Sequence, residues 1–451
     1  MSDTGREPVF LDGTEFHRPV DAPVSVPVAE PEVPVETGAP DATAPAAEAQ
    51  QAPHVEVHVI ETREEYLEAV AVIAAGHGPI AIDAERASGF RYSQRAYLIQ
   101  VYRRGSGVFL FDPPAIGSFA ELDAAIRDEE WVLHAASQDL ACLREVGLDP
   151  TQIFDTELGA RLAGLPRVGL GTVVEDLLGI HLAKEHSAAD WSTRPLPQSW
   201  LVYAALDVEL LPDLRDAMSA LLDEAGKTEI AMQEFSAVLT REAKVVTGEA
   251  WRRLSGLHTV RGAQNLAVAR ELWEARDAFA REIDTAPGRL VPDGSLIAAA
   301  KAMPESRHGL ASLREFNGRA SRSELPRWWA AVEAGRATED LPALRVASDA
   351  MPPPRVWSDR NPEADKRLKT ARAAITLIST EINIPVENVL TPELLRRLAW
   401  TPPQQLDIDG IRGGLIELGA RPWQLDAIAQ VILDAFVDAN QTEEPGVEPV
   451  S

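Results

Sequence analysis

Short apolar runs alternate with amphipathic stretches from residue 54 to about residue 220. The strand-type runs, rich in β-branched and aromatic residues, are His54–Ile60, Ile80–Asp83, Ala96–Tyr102, Val108–Asp112 and Trp131–His134. Apolar residues recur at helical spacing in Glu64–Ala75, Phe119–Arg127, Gln138–Val146, Thr156–Ala163, Thr172–Leu178 and Leu201–Ala225. Strands joined by helices predict a mixed central sheet with helices packed on it, which is an α/β domain.

The pattern after residue 225 is helical and contains no convincing strand. Two segments, 257–336 and 366–436, each show a helix, a proline-containing loop and a second helix, and they resemble each other at an offset of 99 residues. The matching pairs are Phe279 and Ile378, Ile283 and Ile382, Leu290 and Val389, Leu296 and Leu395, and Ala300 and Ala399. The repeat predicts two related all-α modules, with a helical connector at 226–256 and a linker at 337–365. Chance similarity between amphipathic helices is the alternative.

Both ends of the chain have the composition of disordered segments. Residues 1–53, rich in Pro, Ala, Val and Glu, hold ten acidic residues and two arginines, and residues 437–451 hold four acidic residues and no basic one. Neither segment can bury enough apolar surface to offset the entropy lost on ordering, so both are predicted to be disordered acidic tails. They carry much of the net charge of −27, which lowers the expectation of nucleic-acid binding without excluding it.

The cysteine content and the hydropathy limit the compartments in which the protein is expected. The single cysteine, Cys142, excludes an internal disulfide and is typical of a protein from a reducing cytoplasm. No run of about 18 apolar residues could span a bilayer, and no secretory signal is visible at the N-terminus. We therefore expect a cytoplasmic protein with no membrane contact.

Four carboxylates and a phenol lie where the predicted elements would bring them together. Asp83 and Glu85, two residues apart at the end of a buried strand, point to the same side of the sheet. Asp139 opens the helix after a predicted strand, and Tyr203 and Asp207 share one face of a later helix. Ligands bind at the carboxyl ends of strands in open α/β sheets, so we expect one cleft to contain all five side chains.

Four carboxylates in one cleft repel each other and resist desolvation unless cations hold them. All-oxygen ligation is typical of hard ions, and the sequence therefore predicts Mg²⁺ or Mn²⁺ at four carboxylates: Asp83, Glu85, Asp139 and Asp207. A pair of such ions serves phosphodiester hydrolysis in other proteins. Each motif alone is weak, because an Asp-x-Glu or a helical Tyr…Asp pair is common on protein surfaces. The prediction depends on the order of the motifs and on their apolar surroundings.

That order of motifs resembles the tyrosine-bearing branch of the DEDD exonuclease superfamily, and the longer context resembles ribonuclease D. The segments that carry the resemblance are Asp83–Arg86, Tyr97–Gln100, His134–Leu140, Phe154–Leu162, Asp190–Leu196 and Tyr203–Asp207. The resemblance covers roughly residues 55–220. Residues 257–336, which include Val260–Leu266 and Leu290–Leu296, resemble the helicase-and-ribonuclease-D C-terminal (HRDC) domain. Residues 366–436 look like a more diverged copy of it.

The resemblance implies both a fold and an activity. The fold is an α/β ribonuclease H-like exonuclease domain at 54–225, with a mixed central sheet and flanking helices, followed by two all-α HRDC-like modules. The activity is that of a 3′→5′ exoribonuclease that uses two divalent ions to release nucleoside 5′-monophosphates from single-stranded 3′ ends. The substrates implied are tRNA precursors or other stable RNA. Tyr203, with an ordinary phenol pKa near 10, would orient the attacking water rather than act as the base.

Three further residues are candidates for substrate contact. Lys184 and Arg194 flank the Asp-Trp-Ser segment and could bind phosphates, although a solvent-exposed base explains either one equally well. Gln100, which ends the Tyr-Leu-Ile-Gln motif, is the third candidate.

Three other functions stay open at this point. A 3′→5′ DNA exonuclease would share all four acids. The sequence does not show whether the enzyme prefers a sugar with a 2′-hydroxyl. A non-catalytic RNA-binding scaffold would typically have lost a metal ligand, and none is missing here. An adaptor built on the helical repeat and the acidic tails is the third alternative.

Overall fold

The computed structural model describes residues 58–182, 189–241, 248–316, 318–344 and 351–441. The tail predicted at 1–53 lies outside these residues, as does the segment from 442 onward. The last helix runs to Gln441, past residue 437 where the sequence predicted the start of the second tail. The predicted domain boundaries stay predictions.

A six-stranded mixed sheet forms the centre of the N-terminal part. Its strands are β1 (Val59–Ile60), β2 (His77–Arg86), β3 (Ala96–Arg104), β4 (Gly107–Phe111), β5 (Glu130–Leu133) and β6 (Gln152–Asp155). The spatial order is β1-β4-β3-β2-β5-β6. Strands β2, β3 and β4 pair antiparallel, whereas β1 with β4, β2 with β5, and β5 with β6 pair in parallel. This arrangement confirms the predicted mixed sheet and places β2 at its centre.

Helices pack against this sheet between and after the strands. They are α1 (Arg63–Ala75), α2 (Pro113–Ile116), α3 (Ala120–Ile126), α4 (Leu140–Glu145), α5 (Thr156–Ala163), α6 (Leu170–Leu178), α7 (Gln198–Glu209), α8 (Leu211–Glu224) and α9 (Thr228–Thr240). Fully buried side chains between the layers include Ile80 and Ile82 of β2, Val132 of β5 and Met218 of α8. Burial of such apolar side chains is the main term that holds the layers together.

Two elements differ from the sequence prediction. Strand β6 was not predicted, because only two of its four residues, Ile153 and Phe154, are apolar. The single helix predicted over Leu201–Ala225 is two helices, α7 and α8, which meet at Leu210. Pro212 has no backbone N–H to continue the first helix and is favoured in the first turn of the second.

The rest of the described chain is helical, in two modules. The first helical module (residues 248–344) holds α10 (Ala263–Glu282), α11 (Pro287–Leu290), α12 (Asp293–Ala302), α13 (Arg307–Ala311), α14 (Arg319–Ser323) and α15 (Leu325–Ala337). The second helical module (residues 351–441) holds α16 (Trp357–Arg360), α17 (Pro362–Ile382), α18 (Val386–Val389), α19 (Pro392–Trp400), α20 (Ile408–Glu417) and α21 (Pro422–Gln441). Helices α10, α11 and α12 begin 99 residues before α17, α18 and α19, which is the offset of the sequence repeat.

The modules differ in how their cores are built. The first module has an apolar cluster of its own, centred on Leu272, Leu296 and Trp328. The apolar side chains of the second module, such as Ile428 and Phe436, belong to the same continuous cluster as the core of the exonuclease sheet. No described helix is both long enough and apolar enough to cross a membrane.

Candidate active site

Strand β2 carries the first two carboxylates. Asp83 and Glu85 lie two residues apart near its carboxyl end, so both side chains project from one face of the sheet. Across the antiparallel pair with β3, Asp83 lies opposite Gln100 and Glu85 lies opposite Leu98. The strand itself is fixed by buried Ile80 and Ile82, which leaves little freedom to the backbone that carries the acids.

Asp139 comes from the turn that follows β5. A short 3₁₀ turn over Ala136–Gln138 precedes it, and Asp139 is the N-cap residue of α4. The turn starts at Ala135, which has the left-handed φ of 65°. The buried carboxylate of Asp155 accepts hydrogen bonds from the backbone N–H groups of Ala135 (3.0 Å) and Ala136 (2.9 Å). Strand β6 thus holds the turn that positions Asp139.

Tyr203 and Asp207 lie one helical turn apart on α7, which packs across β2, β3 and β4. Asp207 is buried, with 8% of its surface exposed, because it faces the sheet. The Tyr203 hydroxyl donates a hydrogen bond to the Asp207 carboxylate. The helical pair therefore points toward the strand that carries Asp83, as the spacing predicted.

The carboxylates meet in one cleft of about 360 Å³. Single oxygens of Asp83, Glu85 and Asp207 lie within 4.8 Å of one another. Asp139 and Tyr203 line the same cleft. The structure thus brings together all five side chains that were expected to share a cleft.

The electrostatics of the cleft are those of crowded, desolvated acids. Burial raises the pKa of Asp83 and of Asp139 above the ordinary range. Burial and the neighbouring carboxylates together raise the pKa of Glu85 to about 9 and that of Asp207 to about 8. The cause is that each charged carboxylate loses water and faces other negative charges. The pKa of Tyr203 is also raised, first by burial and then by the charge of Asp207.

This donor set is suited to hard divalent cations. Three carboxylates within 4.8 Å, with a fourth in the same cleft, offer oxygen ligands only. Oxygen ligands are preferred by Mg²⁺ and Mn²⁺. A bound cation reverses the electrostatic preference of such a cluster, because it favours the ionised carboxylates.

Of the three predicted substrate contacts, two lie outside the cleft lining and one lies outside the described residues. The Arg194 guanidinium binds Asp112 (2.5 Å) and the carbonyl oxygens of Tyr97, Trp191 and Thr193. Gln100 is fully buried opposite Asp83, outside the cleft lining, and among the described residues its side-chain amide has no hydrogen-bond partner. Lys184 lies outside the described residues. The geometry offers no support for Arg194 or Gln100 as an RNA contact, and these roles stay predictions.

Four polar residues that line the cleft were not assigned from the sequence: Arg86, Ser88, His134 and Gln138. The Nδ1 of His134 lies 2.9 Å from the Thr156 hydroxyl. Burial lowers the pKa of His134 to about 4, so the imidazole is neutral near pH 7. Arg86 directly follows Glu85, and that adjacency was the one sequence signal that could have identified it.

Comparison with protein-family models matches three parts of the chain. Residues 57–223 match the family described as 3′-5′ exonuclease, residues 265–332 match the HRDC domain, and residues 350–436 match the 3′ to 5′ exonuclease C-terminal domain. The third match covers the helices that the sequence suggested as a diverged HRDC copy. The first match covers the sheet and every residue of the carboxylate cluster.

Ribonuclease D of Escherichia coli (strain K12) is 30% identical over 324 residues, which are 71% of this chain and 84% of that protein. The crystal structure of Escherichia coli RNase D, described as an exoribonuclease involved in structured RNA processing, aligns with a TM-score of 0.63 and 27% identity over 85% of this chain and 99% of that one. A crystal structure of a protein from Bifidobacterium adolescentis aligns with a TM-score of 0.77 and 37% identity over 85% of this chain and 98% of that one. The carboxylate cleft and these relatives agree: the chain belongs to the ribonuclease D family and is a divalent-metal-dependent 3′→5′ exoribonuclease.

Proposed function

We propose that Asp83, Glu85, Asp139, Tyr203 and Asp207 are the catalytic residues and that the four carboxylates hold two divalent ions, Mg²⁺ or Mn²⁺. The observation that carries this proposal is the approach of three carboxylates to within 4.8 Å, with Asp139 and Tyr203 in the same cleft. When bound, the ions supply Lewis-acid activation of water and stabilisation of the leaving 3′ oxygen. The products are nucleoside 5′-monophosphates, released one at a time from the 3′ end.

The protein residues have separate tasks in this site. Asp83, on the strand at the centre of the sheet, would be a ligand of the ions, together with Glu85, Asp139 and Asp207. Tyr203 has a raised pKa and donates a hydrogen bond to Asp207, so it is a donor and not a base at neutral pH. Its hydroxyl orients the attacking water and keeps Asp207 in place.

We further propose that the strand enters the cleft single-stranded, from a structured RNA such as a tRNA precursor. The cleft volume of about 360 Å³ is near the lower end of the range of small-ligand sites, roughly 300–1,000 Å³. A cleft of that size has room for the end of one strand. The two helical modules would hold the folded part of the RNA outside the cleft.

The test is cleavage of a 5′-labelled single-stranded RNA and of its DNA counterpart, with Mg²⁺, with Mn²⁺ and with EDTA. We expect a metal-dependent ladder that shortens from the 3′ end on RNA. Asp83→Ala and Asp139→Asn should slow cleavage by more than about a hundredfold, because each removes a ligand oxygen from the cluster. RNA binding by these variants should be retained. Tyr203→Phe should slow turnover roughly tenfold, a loss of about 1.4 kcal/mol of transition-state stabilisation.

Two results would contradict the proposal. Wild-type rates from Asp83→Ala or Asp139→Asn would exclude the carboxylate cluster as the reaction centre. A ladder on DNA alone would show that the same site hydrolyses DNA and not RNA. An unchanged rate for Tyr203→Phe would remove only the water-orienting role.

A further inference from the structure

Arg86 reaches the catalytic cleft because of an irregularity in the sheet. In a regular strand, residue 86 would point away from the face that carries Asp83 and Glu85. The pairing of β2 with β3 shifts at this point, since Glu85 lies opposite Leu98 and Arg86 lies opposite Ala96. Such shifts redirect side chains and are frequent next to active sites. The result is that Arg86 lines the cleft together with the two acids that precede it.

Arg86 carries the one positive charge that lines the cleft in the described part of the chain. The other basic residue of the lining, His134, is neutral near pH 7 because burial lowers its pKa to about 4. Nearby arginines are already engaged in the structure. Arg91 donates to the Ser192 hydroxyl (2.7 Å), and Arg161 pairs with Glu157 (2.6 Å).

The Arg86 guanidinium is partly buried, and within the described residues it makes no hydrogen bond and no ion pair of 4.0 Å or less. Its charge acts on the carboxylates beside it at longer range, where it lowers the pKa of Asp83, Glu85 and Asp139. A guanidinium offers five N–H donors in a fixed planar fork, which matches the oxygens of a phosphate. When the carboxylates hold the proposed cations, the anion available to bind Arg86 is one that enters the cleft from solution.

We propose that Arg86 binds a backbone phosphate of the RNA 3′ end as it enters the cleft. This inference builds on the proposed exoribonuclease site and adds a substrate-binding residue to it. The guanidinium contacts a non-bridging phosphate oxygen and fixes the position of the strand relative to the carboxylates. It takes no part in proton transfer, because arginine stays protonated. The contact is independent of base identity, as phosphate contacts are.

The experiment compares wild type with Arg86→Gln and Arg86→Lys, and with the control Arg127→Gln. The side chain of Arg127 is about half exposed and lies outside the cleft lining, and its one ion pair among the described residues is with Asp123 (3.5 Å). Single-turnover cleavage of a 5′-labelled single-stranded RNA, over a series of protein concentrations, gives the half-saturating concentration and the maximal rate separately. The series is repeated between 50 and 200 mM KCl and over a range of Mg²⁺ concentrations. Binding of the same RNA in EDTA is followed by fluorescence anisotropy.

We expect Arg86→Gln to raise the half-saturating protein concentration about tenfold, the size of one charge-assisted hydrogen bond. The maximal rate should change less than the half-saturating concentration. The slope of log affinity against log salt should become shallower by about 0.7, which is the value for one phosphate contact on a single strand. Arg86→Lys should keep most of the salt slope but recover only part of the affinity, because it keeps the charge and loses the planar fork.

Two outcomes would overturn the inference. In the first, Arg86→Gln matches Arg127→Gln in half-saturating concentration and in salt slope. In the second, Arg86→Gln changes only the Mg²⁺ concentration for half-maximal rate, which would make Arg86 a charge-balancing neighbour of the carboxylates. Should wild type cleave no RNA at all, the proposed catalytic function fails, and the anisotropy series still decides whether Arg86 contacts RNA.

Discussion

The two helical modules have the same layout of helices and are attached to the exonuclease sheet in different ways. Helices α10 and α17 begin 99 residues apart, and a residue with left-handed φ follows the end of each helix, Asp284 at 45° and Asn383 at 49°. That same corner of each module touches the exonuclease part. The contacts at this corner differ between the modules, because the first module has an apolar cluster of its own and the second shares the cluster of the sheet.

In the first module the corner forms a polar contact. The Asp284 carboxylate accepts hydrogen bonds from the Ser93 backbone N–H (2.8 Å) and from the Tyr97 hydroxyl (2.9 Å), both in or next to the loop between β2 and β3. Arg289 stacks on Phe90 of the same loop, 4.0 Å from the ring centroid. The module keeps its own apolar core, so this contact positions the module without completing its fold.

In the second module the corner is part of a continuous core. The Asn383 carbonyl oxygen accepts a hydrogen bond from Lys227 Nζ (3.0 Å), and a Cβ on Gly164 would come within 2.1 Å of the Asn383 side chain. A short way along α9, the buried Glu234 binds Arg421 in bidentate fashion (2.6 and 2.8 Å) and accepts from Trp423 Nε1 (2.7 Å). Because the apolar cluster is shared, neither side can be exposed without loss of the other's burial.

The contrast predicts a large effect at Glu234. Glu234→Ala leaves Arg421 and Trp423 without their buried partner, and removal of one member of a buried ion pair costs about 3–5 kcal/mol. Chemical denaturation should show this loss in the global free energy of unfolding, with both the sheet and the second module affected together. The control is Glu393→Gln, which weakens two solvent-accessible ion pairs of the same module, with Arg396 and Arg397 (2.9 Å each), and should cost less than about 1 kcal/mol. Equal denaturation midpoints for Glu234→Ala and Glu393→Gln would contradict a core shared by the sheet and the second module.

A smaller and local effect is expected at Asp284. Asparagine is the suitable replacement, because it tolerates the left-handed φ better than alanine does. Asp284→Asn should lower the global free energy of unfolding by no more than about 1–2 kcal/mol. Amide exchange at Ser93 should nevertheless rise, because its acceptor is weakened. Asp340→Asn, at an exposed ion pair of the same module, should leave exchange at Ser93 unchanged. No local change at Ser93 in Asp284→Asn would show that the polar contact does not hold the module.

The pH dependence of this contact follows from the charge of Asp284. Burial alone would raise its pKa, but hydrogen bonds from Ser93 and Tyr97 and the nearby Arg95 lower the pKa below its ordinary value. A carboxyl whose folded-state pKa is depressed stabilises the contact fully above its unfolded pKa, near 3.9, and loses that contribution as the pH falls through the folded pKa. The contact should therefore stay formed from pH 5 to 8. The amide exchange rate of Ser93, corrected for the intrinsic rate, should not change over that range.

The sequence predicted which carboxylates share the cleft, because their placement depends on local geometry. Asp83 and Glu85 share a strand face, and Tyr203 and Asp207 share a helix face, and both follow from the spacing alone. The mixed sheet and the ribonuclease D resemblance were confirmed. Strand β6 and the division of the helix at Leu210 escaped prediction, since short runs and a proline near a helix start are ambiguous in the pattern.

Residues whose roles depend on distant partners could not be predicted in this way. Arg194 has the character of a phosphate ligand, but its partner Asp112 lies 82 positions earlier in the chain. Arg86 would point away from the cleft in a regular strand, and only the register shift against β3 redirects it. The attachment of the two modules likewise depends on contacts between residues more than 150 positions apart, such as Lys227 with Asn383.

The most direct test of the central claim is to locate divalent ions in the cleft. Crystals soaked with Mn²⁺ and a nucleoside 5′-monophosphate, measured at the manganese absorption edge, show each ion by its anomalous signal. The account predicts two peaks ligated by oxygens of Asp83, Glu85, Asp139 and Asp207, and the loss of both peaks in Asp83→Ala. Anomalous peaks only outside this cluster, or an unchanged pair in Asp83→Ala, would contradict it.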